Sequence, residues 1–113
     1  MKKIYLSPPH MSGKELEYIK DVFKDNWIAP IGPHLNLFEE RVKEYTGAKY
    51  AVAVNSCTAG IHLALKALKV EPGDYVICSS LTFIATVSPI IYCGAEPIFI
   101  DSEEGSWNMD IGL

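Results

Sequence analysis

No stretch of the 113-residue sequence approaches the ~18 consecutive apolar residues of a membrane-spanning helix, so no membrane partner is expected. A secretory leader is not expected either: after the opening lysines only Ile4-Tyr5-Leu6 are apolar before Ser7-Pro8-Pro9 intervenes. Cysteine is scarce, and Cys57, Cys78 and Cys93 form an odd set without CxxC or zinc-ligand spacing. That pattern suits reduced thiols and a cytoplasmic setting, with Cys78 and Cys93 as core residues. Basic charge is also short. Ten Lys and Arg face fourteen Asp and Glu, for a net charge of −4, and the lysines are scattered singly, so no stripe exists to track nucleic acid. Neither a GxGxxG fingerprint nor a GxxxxGK[ST] loop is present, which disfavours the standard nucleotide folds.

What is there is globular in balance, with 49% hydrophobic and 21% charged residues. Ser12-Gly13-Lys14-Glu15 has a capping-box pattern, and Leu16, Ile19 and Phe23 follow at helical spacing, which predicts a helix over 13–24. Asn26 to Pro33 contains two prolines and a glycine and reads as an extended loop. Leu35, Phe38, Val42 and Tyr45 mark a second helix that stops at Gly47. The pattern then alternates. A strand is predicted over 50–54, a helix over 58–69, a turn at Glu71-Pro72-Gly73-Asp74, a strand over 75–78, a helix over 83–92 despite Pro89, and a strand over 97–101. This rhythm indicates an α/β fold with a mostly parallel sheet. Near the end, Asp110 has the character of an N-cap for one more helix, as if the chain broke off there.

In parallel α/β sheets, ligands collect beyond the carboxyl ends of strands, where loops lead into helices. Asn55-Ser56-Cys57-Thr58-Ala59-Gly60 occupies such a position. Its small side chains let a ligand approach the backbone, the helix start has unpaired N–H groups, and the Ser56 and Thr58 hydroxyls can donate to an anion. Ser and Thr are equally the ordinary capping residues of a helix, and spacing alone does not separate a phosphate cup from a cap.

The order of "NWIAPIGP", "FEERVKEYTGAKYAVAVNSCTAGIHLALKAL", "PGDYVICSSLTFIATVSPIIYCGAEPIFID" and "WNMD" resembles the opening third of the DegT/StrS-type sugar aminotransferases. The resemblance implies a fold-type I enzyme using pyridoxal 5'-phosphate, and here the N-terminal portion of its large domain, a partial three-layer αβα sandwich. Within the family, the opening segment is similar to enzymes of the UDP-bacillosamine pathway, which aminate the C4 ketone of a UDP-linked 4-keto-6-deoxy-N-acetylhexosamine. Carried onto this sequence, the cofactor-binding positions are Ser56, Thr58, Ala59 and Phe83. Thr58 and Ala59 are the expected phosphate donors, and Phe83 is the aromatic expected to stack on the pyridine ring. Read without the resemblance, an aromatic at that place is a core residue. Asn26, Trp27, Ile28 and Ala29 match a segment lining the nucleotide-sugar site, with Cys57 beside the sugar. The alternative for Trp27 is a loop anchor packed on the first helix. Where relatives often have proline this chain has Ser79, which leaves the path of that turn open.

Domains follow as residues 1–33, an N-terminal helix and substrate loop, and 34–113, an incomplete cofactor domain. The resemblance places the Schiff-base lysine and the pyridine-nitrogen aspartate beyond Leu113, so no catalytic residue is assigned, and it sets the first strand apart from the next two. It further implies a nucleotide-sugar substrate, an amino donor such as glutamate, and a homodimer. A chain lacking those later segments is expected to be inactive by itself. The rival is a non-catalytic α/β module that binds a phosphate or nucleotide sugar and works with a partner chain. Cys57 and His62, five helical residues apart, point roughly 140° from each other and do not make a thiol–imidazole pair. His62, Lys66 and Lys69 are expected on a solvated face. Asp101, Glu103 and Glu104 read as an acidic turn after a strand rather than metal ligands, so no metal is expected.

Overall fold

The computed structural model describes residues 3–113. Its elements run α1 (Glu15–Lys24), α2 (Pro33–Thr46), α3 (Cys57–Ala67), β1 (Tyr75–Ser79), α4 (Ile84–Tyr92) and β2 (Glu96–Ile100). The chain divides into two compact units, one ending at Ala53 and the other spanning Val54–Leu113.

The first unit is helical. α1 begins two residues later than the capping pattern suggests, because Ser12 Oγ accepts from the Lys14 amide at 3.3 Å and no side chain caps the helix itself. The reciprocal half of the box does form: the Glu15 carboxylate accepts from the amides of Ser12, at 2.6 Å, and Gly13, at 2.9 Å. α2 starts at Pro33, whose fixed φ and missing N–H suit the first helical position. Its C-terminal turn closes with the Gly47 amide on the Lys43 carbonyl at 2.9 Å. An apolar groove of about 540 Å³ lies between Ile19 and Phe23 of α1 and Leu37 and Phe38 of α2.

The strand expected over 50–54 is not formed. β-propensity needs a neighbouring strand to become a ladder, and Tyr50 to Val54 has none among the described residues. The Ala53 amide is instead held by Glu39 Oε1 of α2 at 2.8 Å.

In the second unit β1 and β2 pair in parallel, Tyr75 opposite Glu96 through Ser79 opposite Ile100, with α4 as the crossover. Val76 and Cys78 turn one sheet face toward α4, where Val87, Ile90 (2% exposed), Cys93 and Ala95 complete a small core. Leu65 of α3 and Val70 pack against this cluster. Burial of Cys78 raises its thiol pKa, as fits a core cysteine rather than a reactive one. The opposite sheet face is bare, with Ile77 62% exposed, so these residues build one helical layer of the sandwich. Pro89 is fully buried inside α4. Gly94 has φ +77°, and a Cβ there would meet Pro72 Cγ at 2.7 Å, so the turn after α4 closes under Pro72 only with glycine. His62 does not face solvent as expected. It is half-buried, its ring edge-on to Tyr92 with centroids 5.7 Å apart, because α3 lies against α4 on that side.

No further helix follows Asp110 among the described residues, although its side chain behaves as a cap and accepts from the Gly112 amide at 2.8 Å. No described helix is long and apolar enough to cross a membrane.

Candidate functional site

The turn into α3 is built by Ser56. Its backbone is extended, at φ −160° and ψ 156°, its carbonyl accepts from the Gly60 amide at 3.1 Å, and its Oγ accepts from the Ala59 amide at 3.2 Å. At the head of the helix, these bonds satisfy the amides of Ala59 and Gly60. Among the described residues nothing accepts from the Cys57 and Thr58 amides. Two main-chain donors therefore stand open beside the Ser56 and Thr58 hydroxyls, at the positive end of the helix dipole. Gly60 faces the segment that feeds the turn: a Cβ there would lie 3.4 Å from Val54 Cγ2, close to ordinary contact.

Of the two expected phosphate donors, only Thr58 has an open amide in this structure. Ala59, expected to donate to phosphate, has its amide engaged by the Ser56 cap, while the Cys57 amide, not singled out from the sequence, is open. A rule would have found it, since the first helical residue never has an intrahelical acceptor for its N–H. The donor chemistry of the turn fits a phosphate group: open amides, hydroxyls, no carboxylate, and small side chains around them.

Phe83 sits at the N-cap of α4 in extended backbone, with φ −72° and ψ 141°, and its carbonyl accepts from the Thr86 amide at 2.9 Å. Phe83 is 77% exposed and joins no core cluster among the described residues. Leading into it, β1 needs no proline. The Ser80 amide extends the ladder onto the Ile100 carbonyl at 2.9 Å, and Ser80 Oγ donates to Asp101 Oδ1 at 3.1 Å, which fixes the turn that Ser79 left open.

Beyond the carboxyl ends of β1 and β2 lies a cleft of about 530 Å³ walled by Leu81, Asp101, Glu103, Glu104 and Trp107. Sequence reading passed over it because its walls come from two segments some twenty residues apart. Its acids serve the turn. Asp101 Oδ1 also accepts from the Ser102 amide at 2.8 Å, and Glu103 accepts from the Gly105 and Ser106 amides at 2.6 Å each and from the Ser106 hydroxyl. The Ser106 hydroxyl and these amides hold the Glu103 carboxyl below its usual pKa. No described cluster of His, Cys, Asp or Glu has the make-up of a metal site.

In the first unit, Asn26 takes a left-handed φ of +51° and turns the chain out of α1. The Trp27 amide bonds back to the Val22 carbonyl at 3.0 Å, and its indole Nε1 donates to the Ile31 carbonyl at 2.6 Å. Trp27 is thus a loop anchor, while Ile28 and Ala29 are exposed.

Comparison with known proteins turns these features into a family assignment. EpsN of Bacillus subtilis (strain 168), whose name assigns it provisionally to the pyridoxal phosphate-dependent aminotransferases, is 60% identical over 108 residues, covering 96% of this chain and 28% of EpsN. GDP-perosamine synthase of Escherichia coli O157:H7 is 40% identical over 98% of this chain and 30% of its own length. Among solved structures, Spr1654 from Streptococcus pneumoniae, provisionally named a sugar aminotransferase, matches in its PLP-form with a TM-score of 0.87 over 96% of this chain. Its PMP-form matches with a TM-score of 0.90 over 99% of this chain, at 35% identity and over 28% of that structure. The chain therefore spans 28–30% of the length of these relatives. Homologous structures thus include cofactor-bound aminotransferases, and the fold is that of their opening segment. With residues 9–112 matching the family as a whole, the chain belongs to the DegT/DnrJ/EryC1/StrS aminotransferases.

Proposed function

We propose that this chain is the N-terminal segment of a pyridoxal phosphate-dependent aminotransferase that delivers an amino group to a nucleotide-linked keto-sugar. The observation that carries the reading is the turn into α3, where the Cys57 and Thr58 amides stand open beside two hydroxyls in a chain of this family. Pyridoxal phosphate, when bound, supplies the carbonyl that accepts an amine and a ring that spreads the resulting electron pair. This chain's own residues hold and orient it. The open amides with Ser56 and Thr58 take the phosphate, the Ala59 amide joins them if the Ser56 hydroxyl turns from cap to ligand, and the exposed Phe83 ring covers one face of the pyridine. In this division, residues 1–33 serve the substrate through Asn26, Trp27, Ile28 and Ala29, and residues 34–113 serve the cofactor, with the Cys57 side chain facing the sugar. Lys66 and Asp101 take no part in moving protons; that lysine and aspartate belong to segments after Leu113.

The finer reading is amination of the C4 ketone of a UDP-linked 4-keto-6-deoxy-N-acetylhexosamine, with glutamate as donor, by a cytoplasmic homodimer. The test is amino transfer from glutamate to that UDP-sugar, followed by mass spectrometry. The expected result is one amine gained at C4 with the protein extended to the length of its relatives, and none with residues 1–113 alone. Transfer by the 113-residue chain overturns the assignment of the proton-moving residues to later segments. No transfer to any keto-sugar by the extended protein, with phosphate or nucleotide-sugar binding intact, makes the chain a binding module instead.

A further inference from the structure

The loop between α1 and α2 is closed by a contact that tolerates no side chain at Gly32. The indole of Trp27 lies against the Gly32 backbone so closely that an ideal Cβ would fall 2.0 Å from Nε1 and 2.2 Å from Cδ1. Gly32 itself has φ +156° and ψ −179°, a backbone region open essentially to glycine alone. From there the chain enters α2 at once, since the Gly32 carbonyl accepts the first helical bond, from the Asn36 amide at 3.0 Å. The other end is equally fixed by the bond from the Trp27 amide to the Val22 carbonyl at 3.0 Å. Indole has one hydrogen-bond donor, and in Trp27 it is spent on the Ile31 carbonyl at 2.6 Å. Trp27 nevertheless remains 49% exposed, which leaves it surface to present but no N–H to offer.

We propose that Trp27 and Gly32 form a latch that fixes the path of Ile28 and Ala29, so that Trp27 is a positioning residue for the nucleotide sugar and not a hydrogen-bond donor to it. This rests on the proposed sugar-binding role of the 26–29 segment. The indole N–H is used within the loop and the Trp27 amide and Gly32 carbonyl are tied to α1 and α2, so the substrate meets a fixed shape there. The steric half of the latch is the bare Gly32 backbone, and the polar half is the Nε1 to Ile31 bond.

The test uses the extended protein and a cycle of Gly32→Ala, Trp27→Ala and the double variant. A latch makes the two sites non-additive. Gly32→Ala lowers the melting temperature, and it costs markedly less when Trp27 is already alanine, because the clash has gone. Labelling with 5-fluorotryptophan, with Trp27→Phe to assign the signal, should show the Trp27 fluorine resonance shifted in Gly32→Ala. In kinetics, Gly32→Ala should raise KM for the keto-sugar by about 10- to 100-fold, and leave the amino-donor stage within about twofold, since only the sugar stage uses the loop. Trp27→Phe keeps a six-membered aromatic ring and loses the donor, and should retain more of the sugar affinity than Trp27→Ala. Additive melting temperatures with an unshifted resonance overturn the latch, and equal rises in both KM values overturn its role toward the sugar. An extended wild-type protein that transfers no amine at all removes the aminotransferase reading; the melting cycle and the fluorine resonance then still decide the latch.

Discussion

Two helices of this chain are each approached through a serine, and three residues after it the two segments carry different chemistry. α1 is approached through Ser12-Gly13-Lys14-Glu15 and α3 through Ser56-Cys57-Thr58-Ala59. At α1 the glutamate folds back onto the Ser12 and Gly13 amides, so the segment supplies its own anion. Its own amide, together with the Ser12 amide and hydroxyl and the Gly13 amide, brings the Glu15 pKa down to about 2. At α3 alanine stands where the carboxylate would be, and the Cys57 and Thr58 amides have no acceptor among the described residues. An anion site at a helix start thus requires the absence of a local carboxylate as much as the presence of donors.

The largest effect should come from erasing that difference. Ala59→Glu installs the missing carboxylate beside the phosphate position, where like charges cost several kcal/mol, and cofactor affinity of the extended protein should fall by at least ~100-fold while helix content is kept. An absorbance titration with pyridoxal phosphate measures it; unchanged affinity would mean that the phosphate lies elsewhere. Cys57→Pro comes next. Proline is accepted at the first helical position yet lacks the N–H, so it deletes one open donor, worth about 1.5–3 kcal/mol toward a charged acceptor. The expected weakening is about 10- to 100-fold in the same titration. Ser56→Ala removes the cap and should cost about 1 kcal/mol of stability in denaturant unfolding, with a cofactor loss beyond that only if the hydroxyl also serves the phosphate.

The smallest effect is a pH dependence at α1. Glu15 has its carboxyl pKa lowered from 4.5 to about 2, so its stabilisation of the first turn is full above pH 4.5 and fades as pH drops toward 2. Amide exchange or chemical shifts at Ser12 and Gly13 should follow that window, and Glu15→Gln should flatten it. Titration of those amides near pH 4.5 would show that the carboxylate is not held.

How much of this could be read in the residues differs by kind of interaction. Helices, the 71–74 turn and the paired strands were legible because apolar spacing and turn chemistry are local. The 50–54 strand was not, because pairing depends on a neighbour the pattern cannot supply. The turn into α3 was legible as a helix start with donors to spare, but which amides are open depends on where the Ser56 hydroxyl points: it engages Ala59 and leaves Cys57 and Thr58 without an acceptor among the described residues. Trp27 could be read as anchor or substrate contact. Its use of the indole N–H on Ile31 is a matter of loop closure that composition does not encode. His62 was misjudged because helical periodicity cannot foresee Tyr92 of a neighbouring helix.

The parallel pair β1–β2 and the crossover α4 occupy one uninterrupted stretch from Tyr75 to Ile100. Parallel strands are ordinarily slow to form because their partners are remote. Here all the partners are made within seconds of each other on a translating ribosome, at roughly 5–20 residues per second. This stretch can therefore close as soon as Ile100 has been made.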